Sequence, residues 1–165
     1  MKNKLIGALF IPLFALISFN ACAQGALSAS QETMLNASAS DVWAHIGDFG
    51  GLHTWHPAVT GTELTGSGTD VGDIRVLTLG DGAKITEELR GHSNEGMSYS
   101  YAILESPLPV ANYESTIKVE STGDNSCKVM WSSTFDAKDV MDIEAIGTID
   151  GIYTAGLDAL VAEFQ

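Results

Sequence analysis

The stretch RVLTLGDGAKITEELR, residues 75–90, decides the fold. Arg75, Leu77 and Leu79 share one phase of a two-residue period, Gly80-Asp-Gly82 interrupts it, and Ala83, Ile85, Glu87 and Leu89 then take it up again. Side chains two apart on a strand point to one face, and a Gly-Asp-Gly cluster supplies the backbone freedom a tight reversal needs. The stretch therefore reads as an antiparallel hairpin of strands 73–79 and 83–90. Counting outward from the turn sets Arg75 opposite Glu87 on the apolar face.

The same period continues on both sides. Strand-like runs cover residues 59–64, 97–104, 113–120 and 127–136, separated by Gly, Asp, Asn or Ser clusters such as Gly123-Asp-Asn125. Glu105 to Val110 reads as an extended connector, because Pro107 and Pro109 block helix and ladder alike. Upstream, a short strand at 33–35 leads to a helix near Asp41 that Ser38 or Ser40 can cap, with Val42, Trp43 and Ile46 at helical spacing. A second helical piece near 51–55 stops at Pro57. From Lys138 the period is helical again, with Ile146, Ile149, Tyr153, Leu157, Leu160 and Phe164 forming one apolar stripe. Gly147, Gly151 and Gly156 interrupt that helix at about 1 kcal/mol each relative to Ala, and suggest close approach or bending. The fold class is α+β: a curved seven-stranded antiparallel sheet, two short helices after strand one, and a long C-terminal helix. One helix cannot fill the concave face of such a sheet, so a cavity between them is expected.

The N-terminus carries Lys2 and Lys4, then an uncharged apolar run from Leu5 to Phe19, then Ala21-Cys-Ala23. The run is shorter than the roughly 20 residues of a membrane-spanning helix and ends in a small-x-small site, the pattern of a signal peptide over residues 1–23 cleaved before Gln24. The rival, a lipid-modified Cys22, is poorly matched by Phe19 and Asn20. Residues 24–165 then form a single domain in the periplasm or outside the cell, with no integral membrane span. Loss of both leader lysines takes the formal charge from −13 to −15. That field repels nucleic acid and excludes it as a partner, while favouring solubility or attraction to a basic protein. Cys127 is left without a disulfide partner, so the fold rests on its core.

Several segments resemble the polyketide cyclase/dehydratase branch of the START and birch-pollen-allergen superfamily (SRPBCC): Ala39-Ser-Asp-Val-Trp43, Gly47-Asp-Phe49, Trp55-His-Pro57, Glu105-Ser-Pro-Leu-Pro-Val110, Trp131 to Phe135, and Gly151-Ile-Tyr153 with Gly156-Leu157. The likeness spans nearly all of residues 24–165. Within the superfamily the chain is most similar to small exported proteins related to the methanol-oxidation accessory protein of methylotrophic bacteria. The resemblance implies the helix-grip fold, with a hydrophobic tunnel between sheet and helix. It implies no single chemistry, since cyclases, hydratases, lipid carriers and receptors share the fold.

Strand phase names the residues that face this interior. Arg75 and Glu87 form a candidate polar pair, retained either to fix register or to hold the polar end of a ligand. Glu87, with Arg75, is the candidate acid or base of any catalysis, burial raising its pKa while Arg75 lowers it. Tyr101, Tyr113 and Trp131 are candidate lining residues, each a large ring with one polar handle. Trp55 and His56 close the helical V and stand near an expected tunnel entrance. His45, His53 and His56 lie close in sequence, but no thiolate pair or His-Glu-x-x-His pattern accompanies them, and no metal or other cofactor is expected. No Gly-x-Ser-x-Gly elbow or phosphate loop is present.

Three functions follow. The first is an exported binding protein for a small, mostly apolar or aromatic ligand. The second is a cyclase- or dehydratase-like enzyme using Glu87. The third is an accessory protein whose acidic surface docks on a basic periplasmic redox enzyme, with salt-sensitive binding.

Overall fold

The computed structural model describes residues 25–165, so the expected leader lies outside it. The Gly-Asp-Gly reversal forms as its sequence requires: Gly82 adopts a φ of +85°, Gly82 N–H donates to Leu79 O at 2.9 Å, and Leu79 N–H donates to Ala83 O at 2.9 Å. It joins β3 (Ile74–Leu79) to β4 (Lys84–Ser93) in a register that sets Leu77 against Ile85 and Arg75 against Glu87. The remaining strands are β1 (Leu27–Leu35), β2 (Val59–Thr65), β5 (Ser98–Glu105), β6 (Val110–Gly123) and β7 (Ser126–Ala137). They make one antiparallel sheet in the order β1-β7-β6-β5-β4-β3-β2, a meander from β2 to β7 with β1 returned beside β7. This is the expected α+β helix-grip fold.

β1 begins six residues before the predicted start, because Ser28, Ser30, Gln31 and Glu32 carry little apolar signal. Its ladder to β7, from Leu27 opposite Phe135 to Leu35 opposite Cys127, supplies the stability that propensity does not. α1 (Ala39–Ile46) starts at Ser38, whose Oγ accepts from Asp41 N–H at 3.1 Å, and buries Val42, Trp43 and Ile46. A 3₁₀ turn over Phe49–Thr54 follows, capped by Asp48 Oδ1 accepting from Gly50 N–H at 2.8 Å.

α2 (Asp142–Glu163) begins later than predicted. Lys138 N–H instead donates to Pro109 O at 3.0 Å, and Asp139, with φ +60°, turns the chain before the helix. Ala145, Ile149, Tyr153, Gly156, Leu157 and Leu160 face the sheet. Leu157 and Leu160 each contribute about 1.5–3 kcal/mol by burial. Only one of the three glycines meets a close neighbour. A Cβ on Gly156 would lie 2.8 Å from His56 Cδ2 and 2.9 Å from Trp131 Cζ3, whereas Gly147 and Gly151 face open space. By length and composition α2 is apolar enough to cross a membrane, yet its Tyr153 face is packed into the core.

Candidate functional site

The pairing of β3 with β4 delivers Arg75 and Glu87 to the inner face, where Arg75 is 0% exposed. Arg75 Nε donates to Glu87 Oε2 at 2.6 Å and Nη1 donates to Phe49 O at 2.8 Å. Its guanidinium carbon sits 4.2 Å from the Phe49 ring centroid and 4.8 Å from that of Tyr101. The carboxylate beside it raises the Arg75 pKa against the opposing effect of burial. Burial pushes Glu87 above its ordinary value while Arg75 pulls it down. A guanidinium that cannot deprotonate, in direct contact, holds Glu87 ionised at neutral pH, since protonation would strand a buried cation.

Below this pair lies a hydrogen-bonded aromatic cluster from β5, β6, β7 and α2. Trp131 Nε1 donates to Tyr101 Oη and Ser115 Oγ, both at 3.1 Å. Ser115 Oγ lies 3.1 Å from the Tyr153 hydroxyl and donates to Ser132 O at 2.9 Å. The Tyr113 and Tyr153 hydroxyls are 2.5 Å apart, and the Trp131 and Tyr153 rings stack at 4.5 Å. Burial raises the pKa of Tyr101 and Tyr113 well above the phenol range and pushes Tyr153 up to about 12. These phenols are hydrogen-bond donors, not bases. The sequence pattern placed Tyr153 on the core stripe and Ser115 in phase with Tyr113, but it carried no sign that the two would meet across the layers.

His56 is buried, unlike a histidine at an open mouth. Its Nδ1 accepts from Ala58 N–H at 3.2 Å and its Nε2 lies 3.0 Å from Ile152 O on α2, a set of partners that selects the neutral ring protonated on Nε2. Burial lowers its pKa accordingly. Trp55 packs on Trp131 at 5.6 Å. The neighbouring histidines turn elsewhere: His53 Nδ1 to Thr62 Oγ1 at 3.1 Å, and His45 Nε2 to Glu163 Oε2 at 3.0 Å. No group of three His, Cys, Asp or Glu side chains suited to a metal occurs among the described residues. Burial also raises the pKa of the Cys127 thiol, which keeps it protonated and unreactive.

All seven candidate residues are thus inside, but the expected cavity is filled. Walls of an open chamber would keep accessible surface, whereas Tyr101 and Trp131 are 2% exposed and Tyr113 is 4% exposed. The reason is size: Trp55, Trp131 and Tyr153 interleave between sheet and α2, and Gly156 lets the helix close on them. Among the described residues four polar atoms buried there lack a partner in full hydrogen-bonding geometry, namely Arg75 Nη2, the Tyr99 hydroxyl, Trp55 Nε1 and Ser133 Oγ, although Tyr99 interacts with Arg75 and Ser133 with Tyr153. Tyr99 and Ser133 were not among the expected site residues. Tyr99 shares its face with Tyr101, and Ser133 with Trp131, so the phase that found their neighbours also contained them.

The family described as Polyketide cyclase / dehydrase and lipid transport matches residues 26–165. The protein XoxI of Bacillus cereus is 37% identical over 83% of this chain and 94% of its own, with a TM-score of 0.78. An uncharacterised protein of Bacillus thuringiensis is also 37% identical, over 84% of this chain and 98% of its own, with a TM-score of 0.79. The Zhui aromatase/cyclase of Streptomyces sp. R1128 shares the fold, at 15% identity over 83% of this chain and 92% of its own and a TM-score of 0.69. No curated protein matches the chain. With an inward Arg75–Glu87 pair, a helix-grip architecture and a family match over nearly all the described residues, the chain belongs to the Polyketide cyclase / dehydrase and lipid transport family, within the SRPBCC superfamily.

Proposed function

We propose that this protein is exported and binds a small, mostly apolar or aromatic molecule between the sheet and α2, in an interior that is closed when empty. The observation that carries the reading is the set of incompletely paired buried polar atoms at Arg75, Tyr99, Trp55 and Ser133 inside an otherwise aromatic core. A buried polar group left unpaired costs about 1–3 kcal/mol. Trp55 Nε1 has no hydrogen-bond partner among the described residues, and Tyr99 beside Arg75 and Ser133 beside Tyr153 interact without full hydrogen-bonding geometry, which leaves bonding capacity for a ligand. A ligand carrying a carbonyl or hydroxyl group satisfies them while its apolar body replaces ring contacts. Binding rather than turnover fits the protonation states: the phenols are held as donors, and Glu87, the candidate acid or base, is tied to Arg75. The leader pattern of residues 1–23 supports an activity in the periplasm or outside the cell.

The test is titration with 2-naphthol, followed by tryptophan fluorescence and native mass spectrometry, beside native mass spectrometry of protein purified from its own host. A saturable one-to-one complex that weakens in an Arg75→Met/Glu87→Met variant is expected. A bare mass from the host together with non-saturable naphthol binding would overturn the reading.

A further inference from the structure

A groove of about 820 Å³ is formed by β4 to β7 beside the β5–β6 connection, mainly by outward-facing residues, with Tyr113 and Val110 of the core at its floor. Its walls include Arg90, Glu114 and Thr134, which alternate with the inward-facing Leu89, Tyr113 and Phe135 and so point away from the interior. The volume falls within the range of small-molecule sites, roughly 300–1,000 Å³.

Two backbone features shape this groove. β6 slips register against β7 between Ala111 and Glu114, with Asn112 at φ +50° and its Nδ2 donating to Asp136 Oδ2 at 2.7 Å. Across the groove end, Asp139 at φ +60° follows Lys138. Bulges and left-handed non-glycine residues carry a conformational cost and cluster where a strand must re-aim its side chains around a site.

Charge adds a separate observation. Every other lysine and arginine of the described residues contacts a carboxylate: Arg75 with Glu87, Lys84 with Glu63, Arg90 with Glu88, Lys118 with Glu120, Lys128 with Glu32. Lys138 alone has no carboxylate within ion-pair distance, on a chain of net charge −13, and it lines the groove. The lining also holds the outward-facing Leu104, 51% exposed, and Ala102, whereas Ile103 and Val110 border it from the inner face, where they pack on the core.

We propose that this groove is a second binding site, distinct from the interior, for an amphipathic monocarboxylate. The carboxylate pairs with Lys138, and the apolar chain lies along Leu104 and Ala102, which share the outward phase of β5. Glu105 and Glu114, also in the lining, repel a second negative charge. They set the preference for a carboxylate over a phosphate dianion. The site does not depend on the interior binding a ligand.

Amide NMR titration with decanoate below its micellar concentration tests this, with decanol, decyl phosphate and decyltrimethylammonium as comparison probes. Saturable shifts are expected at Ala102, Leu104, Thr134 and Lys138, with decanoate the tightest of the four probes. Lys138→Ala, a change at an exposed position, should weaken decanoate roughly fivefold, the loss of about one surface charge pair, and leave decanol unaffected. Leu104→Ser should weaken both. Shifts confined to α2 and the inner aromatic residues, equal affinity for decanoate in Lys138→Ala, or no saturable binding would each overturn the proposal.

Discussion

Replacing Arg75 by Met separates the two roles that a buried ion pair can have. The substitution keeps the side-chain volume close to native but removes the donor to Glu87 at 2.6 Å and the donor to Phe49 O at 2.8 Å. Removing one partner of a buried pair costs about 3–5 kcal/mol, because an uncompensated charge stays inside. A domain of this size has about 5–15 kcal/mol in total, so Arg75→Met should fold marginally. Urea denaturation at pH 7 would show the midpoint falling by about a fifth or more. In the double variant Arg75→Met/Glu87→Met no charge remains to desolvate, and stability should return to within about 1–2 kcal/mol of the parent or exceed it. The pH dependence has a definite sign. In the single variant Glu87 loses the cation that lowers its pKa, so it takes up a proton as pH falls through its raised value, and the stability deficit shrinks. The reasoning is refuted if the double variant is as unstable as the single one, or if the single variant's deficit does not shrink with acidification.

Other outcomes follow from the same geometry. His56 is neutral in the fold with a lowered pKa, so the unfolded chain takes up its proton first as pH falls below 6.5. Stability lost there approaches 1.4 kcal/mol per pH unit at most until the folded pKa is reached, and His56→Gln should flatten that part of a urea-midpoint profile measured from pH 7.5 to 5. Tyr153→Phe removes the partner of both Tyr113 and Ser115 and should cost about 1–3 kcal/mol by thermal denaturation, more than Tyr113→Phe. Gly156→Leu forces side-chain atoms into the space of His56 and Trp131, and should lower the melting temperature despite the better helix propensity of Leu. The mass of protein recovered from its own host should correspond to a chain beginning at Gln24; a lipid-bearing Cys22 would instead show the added mass of acyl chains.

The sheet was legible because its signals are local and strong. A Gly-Asp-Gly turn and a two-residue period fix both the register and the inward face, and from these alone Arg75 meets Glu87. The start of β1 was not legible, since its polar residues have strand structure only through β7. The interior was read correctly in its residues and incorrectly in its volume. Phase says that Tyr101, Tyr113 and Trp131 point inward, but whether they line a space or fill it depends on how near α2 comes. That approach depends in part on Gly156, whose missing side chain admits His56 and Trp131. The contacts of Tyr153 with Tyr113 and Ser115 likewise join positions about forty apart, beyond any sequence period.

The distribution of these groups also says how the interior would open. Arg75, Glu87, Tyr101, Ser115 and Trp131 sit on adjacent strands whose ladders hold them in fixed register. Separating any of them means breaking several backbone hydrogen bonds at once. On the helix side the polar ties are the Tyr153 hydroxyl with Tyr113 and Ser115, the His56 ring with Ile152 O, Asp150 with Gln31 and Glu163 with His45, beside the stack of Trp131 on Tyr153. Each net hydrogen bond of this kind contributes about 0.5–1.5 kcal/mol, and burial of Leu157 and Leu160 adds about 1.5–3 kcal/mol each. The continuous strand ladders make the sheet the stiffer wall, so an opening of the interior is expected on the α2 side. A ligand that satisfies Arg75 Nη2 and the Tyr99 hydroxyl would be bound on the stiffer side, while the helix side governs how fast it enters and leaves.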